Sequence, residues 1–200
     1  MRPSVHITKP IETARLVLRP FEAGDLDDLC DLQSRLEVAR YLYWEPRNRR
    51  ESRSSLRRKI NLTHIDREGD TINLAVVERV THAVVGDVML TYTSANHQQA
   101  EIGYLFLPAV QGRGYATEAA TALVDLAFDR LGVHRVYAHL DARNVASARV
   151  LERLGMRREA HLVQNEWVKG EWTDDVTYGI LATEWAAGTA PGPRDLGPRS

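Results

Sequence analysis

The stretch Leu107-Pro108-Ala109-Val110-Gln111-Gly112-Arg113-Gly114-Tyr115-Ala116-Thr117-Glu118 constrains this chain more than any other. Before it, Ala100 to Leu107 reads as a strand closed by Pro108. After it, Ala116, Ala119, Ala120, Leu123, Ala127 and Leu131 form one apolar helical face, and Gly132 stops the helix. A strand, a tight turn and a strong helix in succession demand a sheet with that helix packed on it. The turn is also where an anion can sit. A helix N-terminus leaves about four N–H groups without intrahelical partners and carries roughly half a positive charge. Gly112 and Gly114 let successive N–H groups converge and let a phosphate come close, and Arg113 adds charge. The spacing lacks the Gly-Lys-Ser/Thr ending of a P-loop and the third glycine of a dinucleotide fingerprint. On spacing alone, a tight structural turn and a pyrophosphate-sized anion site both remain open.

The flanking segments build the rest of the sheet. Thr13 to Arg19 reads as a first strand, ended by Pro20. Asp25 opens a helix with Leu26, Leu29, Cys30 and Gln33 on one stripe, where Cys30 reads as a small core residue. Arg35 to Tyr43 reads as a second helical piece. Arg47 to Lys59 is a basic helix with a thin apolar side from Leu56, Ile60 and Ile65. It reads either as a solvated face or as a local anionic docking surface. Thr71 to Val80 and Ala83 to Thr93 form a hairpin, and Val133 to Asp141 is a further strand. Asn144 caps a helix carrying Ser147, Val150, Leu151 and Leu154, and Gly155 ends it. Arg157 to Val168 and Thr173 to Thr183 flank a Lys169-Gly170 turn. The order implies an α+β fold: one mixed, mostly antiparallel central sheet of about seven strands, flanked by helices. Residues 1–185 read as one domain, and 186–200 as a disordered tail rich in Pro, Gly and Ala.

Composition removes several function classes. A formal charge of −1 over 200 residues offers no bulk attraction to nucleic acid. The single cysteine excludes a disulfide framework and a cysteine zinc cluster. The seven histidines show no His-x-x-x-His pair, so no metal is expected. No Gly-x-Ser-x-Gly elbow supports a serine hydrolase. No apolar run is long enough to span a membrane, and the N-terminus has no signal-peptide core, so a cytoplasmic protein is expected.

Gln111-Gly112-Arg113-Gly114-Tyr115-Ala116 resembles the acyl-CoA pyrophosphate loop of the GNAT N-acetyltransferase superfamily, whose pattern Gln/Arg-x-x-Gly-x-Gly/Ala is met at Gln111, Gly114 and Ala116. Asn144-x-x-Ser147 followed by Leu151 and Leu154-Gly155-Met156 is similar to the second cofactor segment, with Met156 where Phe is usual. Thr13-x-Arg15-Leu16-x-Leu18-Arg19-Pro20 and Lys169-Gly170-x-Trp172-x-Asp174 resemble one branch, the ribosomal-protein N-terminal acetyltransferases. The resemblance implies splayed central strands with acetyl-CoA as acyl donor between them. Backbone groups of Leu105, Phe106 and Leu107 would bond its pantetheine arm like an added strand. Gln111, Gly112, Arg113, Gly114, Tyr115, Ala116 and Thr117 would hold the pyrophosphate. Asn144 would reach a pantetheine amide, a use that competes with its role as helix cap.

The acceptor implied is a primary amine, either a protein N-terminus or a small molecule. Such amines are mostly protonated at neutral pH, so transfer needs a base and a donor to the departing thiolate. Direct attack needs no covalent nucleophile. Glu166 is the first choice of base by resemblance, Glu101 the second. The tyrosine that many members carry on the last helix is missing here, and Ser147 is the available hydroxyl. Tyr41, Tyr43, Trp44 and Trp167 are expected at the acceptor wall. The basic segment would suit an acidic acceptor or a succinyl-type donor. The alternatives are a non-catalytic CoA-binding module and an RNA-binding surface at Arg47 to Lys59. A homodimer is common in families of this kind.

Overall fold

Alternation over the central hairpin puts Leu74 and Val76 on one side of a sheet and Ala75 and Val77 on the other. All four are buried, so both sides of this sheet are covered. The computed structural model describes residues 4–188. In chain order the elements are β1 (Val5–His6), β2 (Ile11–Glu12), β3 (Leu16–Pro20), α1 (Leu26–Ser34), α2 (Leu36–Ala39), α3 (Arg49–Lys59), β4 (His64–Ile65), β5 (Thr71–Glu78), β6 (Val84–Ser94) and β7 (Gln99–Phe106). There follow α4 (Tyr115–Asp125, extended by a π-helical turn to Leu131), β8 (Arg135–Asp141), α5 (Val145–Arg153), β9 (Arg157–Val168), β10 (Glu171–Leu181) and α6 (Ala182–Ala186). An eight-stranded sheet runs β2-β3-β5-β6-β7-β8-β10-β9, and β1 pairs with β4 beside it. Within the large sheet only β7 and β8 are parallel.

One face of the sheet carries Leu16, Leu18, Leu74, Leu90, Ile102 and Val136, which pack with Ala119 and Leu123 of α4 and Leu151 of α5. Each such fully buried large aliphatic chain contributes roughly 1.5–3 kcal/mol. The opposite face meets Phe21, Leu29 and Leu32 from the α1 region and Leu56 of α3. Gly132, at φ +70°, ends the α4 extension in the left-handed conformation that glycine adopts without strain.

Sequence and structure part company in the N-terminal half. The buried positions of α1 are Leu29, Leu32 and Gln33, and Cys30 is half-buried rather than core. The second helical piece shrinks to one turn, α2, because the aromatic-rich segment after Ala39 leaves the helix. Ile65 belongs to β4, paired with Val5, and not to the basic helix. The apolar side of α3 is thinner than expected, with Ser52 and Ser55 buried beside Leu56. The expected tail over 186–200 lies, beyond residue 188, outside the described residues. No described helix is long and apolar enough to cross a membrane.

The feature that positions a site is a short pairing. β7 and β8 are in register only at Gln99–Arg135, Ala100–Val136 and Glu101–Tyr137. Beyond Glu101, β7 continues to Phe106 against β6, while β8 continues to Asp141 against β10. The two strands therefore part at the middle of the sheet.

Candidate active site

The turn before α4 stands beside this opening. Gly112 (φ +77°) and Gly114 (φ +79°) are both left-handed, and Gly114 is the N-cap of α4. Thr13 and Arg15, with Glu118 of α4, lock the turn from outside. Arg15 donates through Nη1 to the Arg113 carbonyl at 2.7 Å, and through Nε to Glu118 Oε2 at 2.7 Å. Thr13 Oγ1 and the Arg15 N–H donate to Glu118 Oε1 at 2.6 and 2.8 Å. Burial pushes the Glu118 carboxyl up, but these bonds outweigh it and hold the group below its ordinary value. A cavity of about 490 Å³ lies over the turn, lined by Arg15, Gly112, Arg113, Gly114, Thr117, Glu118 and Arg153. Three arginines, two left-handed glycines and a helix N-terminus fit a pyrophosphate.

The expected residues of the turn play unequal parts. Gln111 is exposed, and its N–H donates to the Pro108 carbonyl at 3.1 Å. Tyr115 is buried with its hydroxyl on Glu78 Oε1 at 2.6 Å, so it faces the interior and offers a ligand only backbone. Arg113 Nη1 rests 3.5 Å from that same carboxylate. Ala116 and Thr117 are half-buried in the first turn of α4.

Ladder alternation decides which backbone groups face the opening. The Leu107 N–H donates to Val85 O at 3.0 Å, so Leu107 is engaged by the β6 side and is not free as expected. Residues two apart share a direction in an antiparallel pair, so Leu105, opposite Asp87, also bonds toward β6. The backbone of Tyr104 and Phe106 then points the other way, into the gap. Across that gap the Tyr104 hydroxyl donates to the Ser147 carbonyl at 2.9 Å. Burial raises the Tyr104 phenol far above its usual value, with the bond to Ser147 only partly offsetting this. Asn144 Oδ1 accepts from the Ser147 N–H at 3.1 Å, which makes it the cap of α5 and leaves its amide nitrogen for another partner.

The other face of the opening is acidic. Register places Glu101, Tyr137, His139, Asp141, Asp175 and Thr177 on one side of β7, β8 and β10. Glu166 joins them through a bulge. β9 adds residues between Leu162 and Glu166, with Gln164 at φ +49°, and Glu166 then opposes Thr173. The Tyr43 hydroxyl is held above its ordinary value, first by desolvation and then by Glu166, Asp175, Glu101 and Asp141, so all four carboxylates bear on one point. Glu101 is itself raised, mainly by burial and further by Asp175, against the opposing pull of His139. His139 Nδ1 lies 3.1 Å from Asp175 Oδ2. Arg143 grips Asp141 and Glu171, and despite burial its bonds hold the Asp141 carboxyl low.

Of the expected acceptor wall, Tyr43 is exposed to solvent and feels the carboxylates of this acidic mouth. Tyr41 stacks under Arg40 at 5.2 Å, and Trp44 under Arg47 at 4.5 Å. Trp167 meets Trp172 edge-on at 5.3 Å. As the strand neighbour of Glu166, it points to the opposite side of the hairpin, away from the mouth. Residues that sequence reasoning missed are Tyr104, Glu118, Arg153, His139, Asp141 and Asp175. The signal for Glu118 was present in Thr13-x-Arg15 and Thr117-Glu118, but their pairing spans 105 residues. Among the described residues no cluster of three or more His, Cys, Asp or Glu side chains could hold a metal ion.

A glycine turn at a helix N-terminus, a parted strand pair and a carboxylate-lined mouth together fit an acyl-CoA-dependent transferase of α+β architecture. Residues 15–157 match the family model described as "Acetyltransferase (GNAT) domain". The chain belongs to that family and is a GNAT-type N-acetyltransferase, an enzyme that moves an acetyl group from acetyl-CoA to an amine. It is 29% identical over 182 residues to an uncharacterized N-acetyltransferase of Bacillus subtilis (strain 168), covering 90% of this chain and 99% of that one. It is 27% identical over 172 residues to a spermidine N(1)-acetyltransferase of Vibrio cholerae, covering 86% and 96%. Among solved structures, a GNAT-family acetyltransferase from Bacillus anthracis superposes with TM-score 0.79 at 28% identity, covering 88% of this chain and 100% of that one.

Proposed function

We propose that acetyl-CoA and the amine enter from opposite faces of the sheet and meet where β7 leaves β8. The observation that carries this reading is the short β7–β8 pairing, with the glycine turn toward one face and the carboxylate mouth toward the other. Acetyl-CoA supplies an activated thioester carbonyl. The turn Gln111 to Thr117 and the cavity arginines Arg15 and Arg153 hold its pyrophosphate. The Asn144 amide nitrogen and the free backbone of Tyr104 and Phe106 hold its pantetheine arm and polarise the carbonyl.

On the other side, the carboxylates attract an ammonium ion, and Glu101 takes its proton. Glu101 suits this task because its raised carboxyl brings a base closer to neutral pH. Glu166, first choice from resemblance, serves as the second carboxylate that orients the amine. Ser147 returns a proton to the departing thiolate. Residues 1–185 act as one catalytic domain. The name of the spermidine acetyltransferase relative supports an amine acceptor, and the branch motifs at Thr13–Pro20 and Lys169–Asp174 support a peptide N-terminus as an alternative.

The test is thermal unfolding with acetyl-CoA, succinyl-CoA, free CoA and a dinucleotide, followed by turnover of Glu101→Gln and Glu166→Gln. A ligand at a hundred times its Kd adds about 2.7 kcal/mol. A midpoint rise with CoA compounds alone, and loss of turnover in Glu101→Gln with that rise retained, is expected. No rise with any CoA compound sinks the reading in favour of a module that binds something else.

A further inference from the structure

The basic segment holds a second cavity that the transfer reaction does not use. It measures about 270 Å³, and its lining carries two arginines, Arg47 and Arg58, and two carboxylates, Glu45 and Glu51, beside Trp44 and Ser54. Arg47 lies over the Trp44 ring at 4.5 Å and donates to Ser55 Oγ at 3.0 Å. Arg58 donates to Ser54 Oγ at 3.2 Å. Among the described residues neither guanidinium has a carboxylate within 4.0 Å, although other cations of the segment do: Arg49 pairs with Asp27, and Lys59 with Asp87. The two lining carboxylates have partners of their own. Glu51 accepts the Asn48 N–H at 2.8 Å to close the capping box of α3, and Glu45 lies 4.0 Å from Lys169. Burial, and then the charge of Arg58, hold the Arg47 guanidinium below its ordinary value. Two guanidinium groups thus share one cavity without a direct ion-pair partner, and the more distant charges of Glu51 and Asp87 offset only part of the burial and mutual repulsion that act on Arg47.

This cavity adjoins the acceptor mouth through two consecutive residues. Trp44 and Glu45 line the cavity, Glu45 lies 4.0 Å from Lys169, three residues beyond Glu166, and the neighbouring Tyr43 hydroxyl feels the carboxylates Glu166, Asp175, Glu101 and Asp141. The connecting segment is fixed at both ends. Lys169 Nζ donates to the Ala39 carbonyl at 2.6 Å, which brings the β9–β10 turn against it, and the Arg47 N–H donates to Gln33 O at 2.8 Å. A carboxylate mouth and a cavity holding two guanidinium groups without direct ion-pair partners therefore stand side by side on a fixed frame.

We propose that the Arg47–Arg58 cavity binds an anionic group, carboxylate or phosphate, carried by the same acceptor whose amine enters the carboxylate mouth. The acceptor is then an amine with an acid group at its far end, not a polyamine, which has nothing to pair with two arginines and would be repelled by them. This inference rests on the acetyl-transfer reading and narrows its substrate class.

Three acceptors of matched length separate the outcomes: 6-aminohexanoate, 6-aminohexyl phosphate and 1,6-diaminohexane, each assayed with the full chain and acetyl-CoA. The expected result is a kcat/KM at least about tenfold higher for one or both acids than for the diamine, a gap equivalent to about 1.4 kcal/mol. The preferred acid tells carboxylate from phosphate. The ratio should collapse toward one in the double variant Arg47→Gln/Arg58→Gln and persist in Arg47→Lys/Arg58→Lys, with unfolding midpoints confirming that both fold. A diamine used as well as the acids, or a ratio unmoved by the glutamine pair, overturns the inference and leaves the transferase reading standing. If none of the three is acetylated, calorimetric titration of the CoA-saturated protein decides. Acids that bind the native chain more tightly than the glutamine pair support the cavity and count against the acceptor mouth, whereas acids that bind neither overturn the inference.

Discussion

The hydroxyl of Tyr104 on β7 donates to the backbone carbonyl of Ser147 on α5 at 2.9 Å, bridging the elements between which the acyl donor would lie. The phenol is half-buried by exposure and its ionisation is pushed far up, so it remains a donor throughout the working pH range. Ser147 also opens α5 through the Asn144 cap, so one residue is held from both sides. Tyr104→Phe should lower stability by about 1 kcal/mol, the usual net worth of such a bond, in urea unfolding. It should also weaken acetyl-CoA, because the first turn of α5 loses its tie to the parted strand. Unchanged stability and unchanged affinity would mean that the bridge orders nothing.

The glycine turn gives the sharpest test of the anion site. A side chain at Gly114 must adopt φ +79°, and its Cβ would come 3.4 Å from the Arg15 guanidinium. The left-handed conformation alone costs a non-glycine residue about 1–2 kcal/mol. Gly114→Ala should therefore fold with a reduced midpoint and lose most of the rise that acetyl-CoA gives the native protein. An undiminished rise would show that the ligand does not depend on this backbone.

Much of this arrangement could be read without coordinates, and the reasons are physical. The strands of the central hairpin announce themselves through β-branched and aliphatic density, and the glycine turn through its position between strand and helix. Asn144 was recognisable as a cap because its spacing to Ser147 is local. The acidic mouth was not recognisable, because it depends on register among β7, β8, β10 and β9 and on a bulge at Gln164, a residue with no glycine signature. Trp167 was misplaced for the same reason: alternation assigns it to a face only after that bulge is known. Tyr104 carries no local signal, since nothing near it in the sequence shows that the neighbouring strand turns away. The grip of Thr13 and Arg15 on Glu118 is long-range and lay hidden in two unconnected motifs.

Glu101 ties activity and stability to pH with opposite signs. Its carboxyl is raised from the usual 4.5, first by burial. The fold therefore favours the protonated form. That contribution is fully present below the unfolded value and is lost as pH rises through the folded one. At neutral pH the ionised group works against the fold, so Glu101→Gln should unfold at a higher temperature than the native chain at pH 7.5. The difference should shrink in mildly acidic buffer, where the native carboxyl is also neutral. Turnover should fall by about a hundredfold or more, as for other lost bases, and the acid limb of the rate profile should disappear with it. A variant that is both less stable at pH 7.5 and fully active would remove Glu101 from the mechanism.

Asn144 carries two assignments that a pair of substitutions can separate. Its Oδ1 caps α5 by accepting from the Ser147 N–H at 3.1 Å, and its amide nitrogen is the group assigned to the acyl donor. Asn144→Ala removes both and should lower stability by about 1 kcal/mol while weakening acetyl-CoA. Asn144→Asp keeps an accepting oxygen and places negative charge at a helix N-terminus, where it is favourable, but it has no amide to donate. The aspartate variant should therefore unfold at or above the native midpoint and still bind acetyl-CoA more weakly. Native-like affinity in the aspartate variant would reduce Asn144 to a cap, and the pantetheine contact would have to come from the strand backbone of Tyr104 and Phe106 alone.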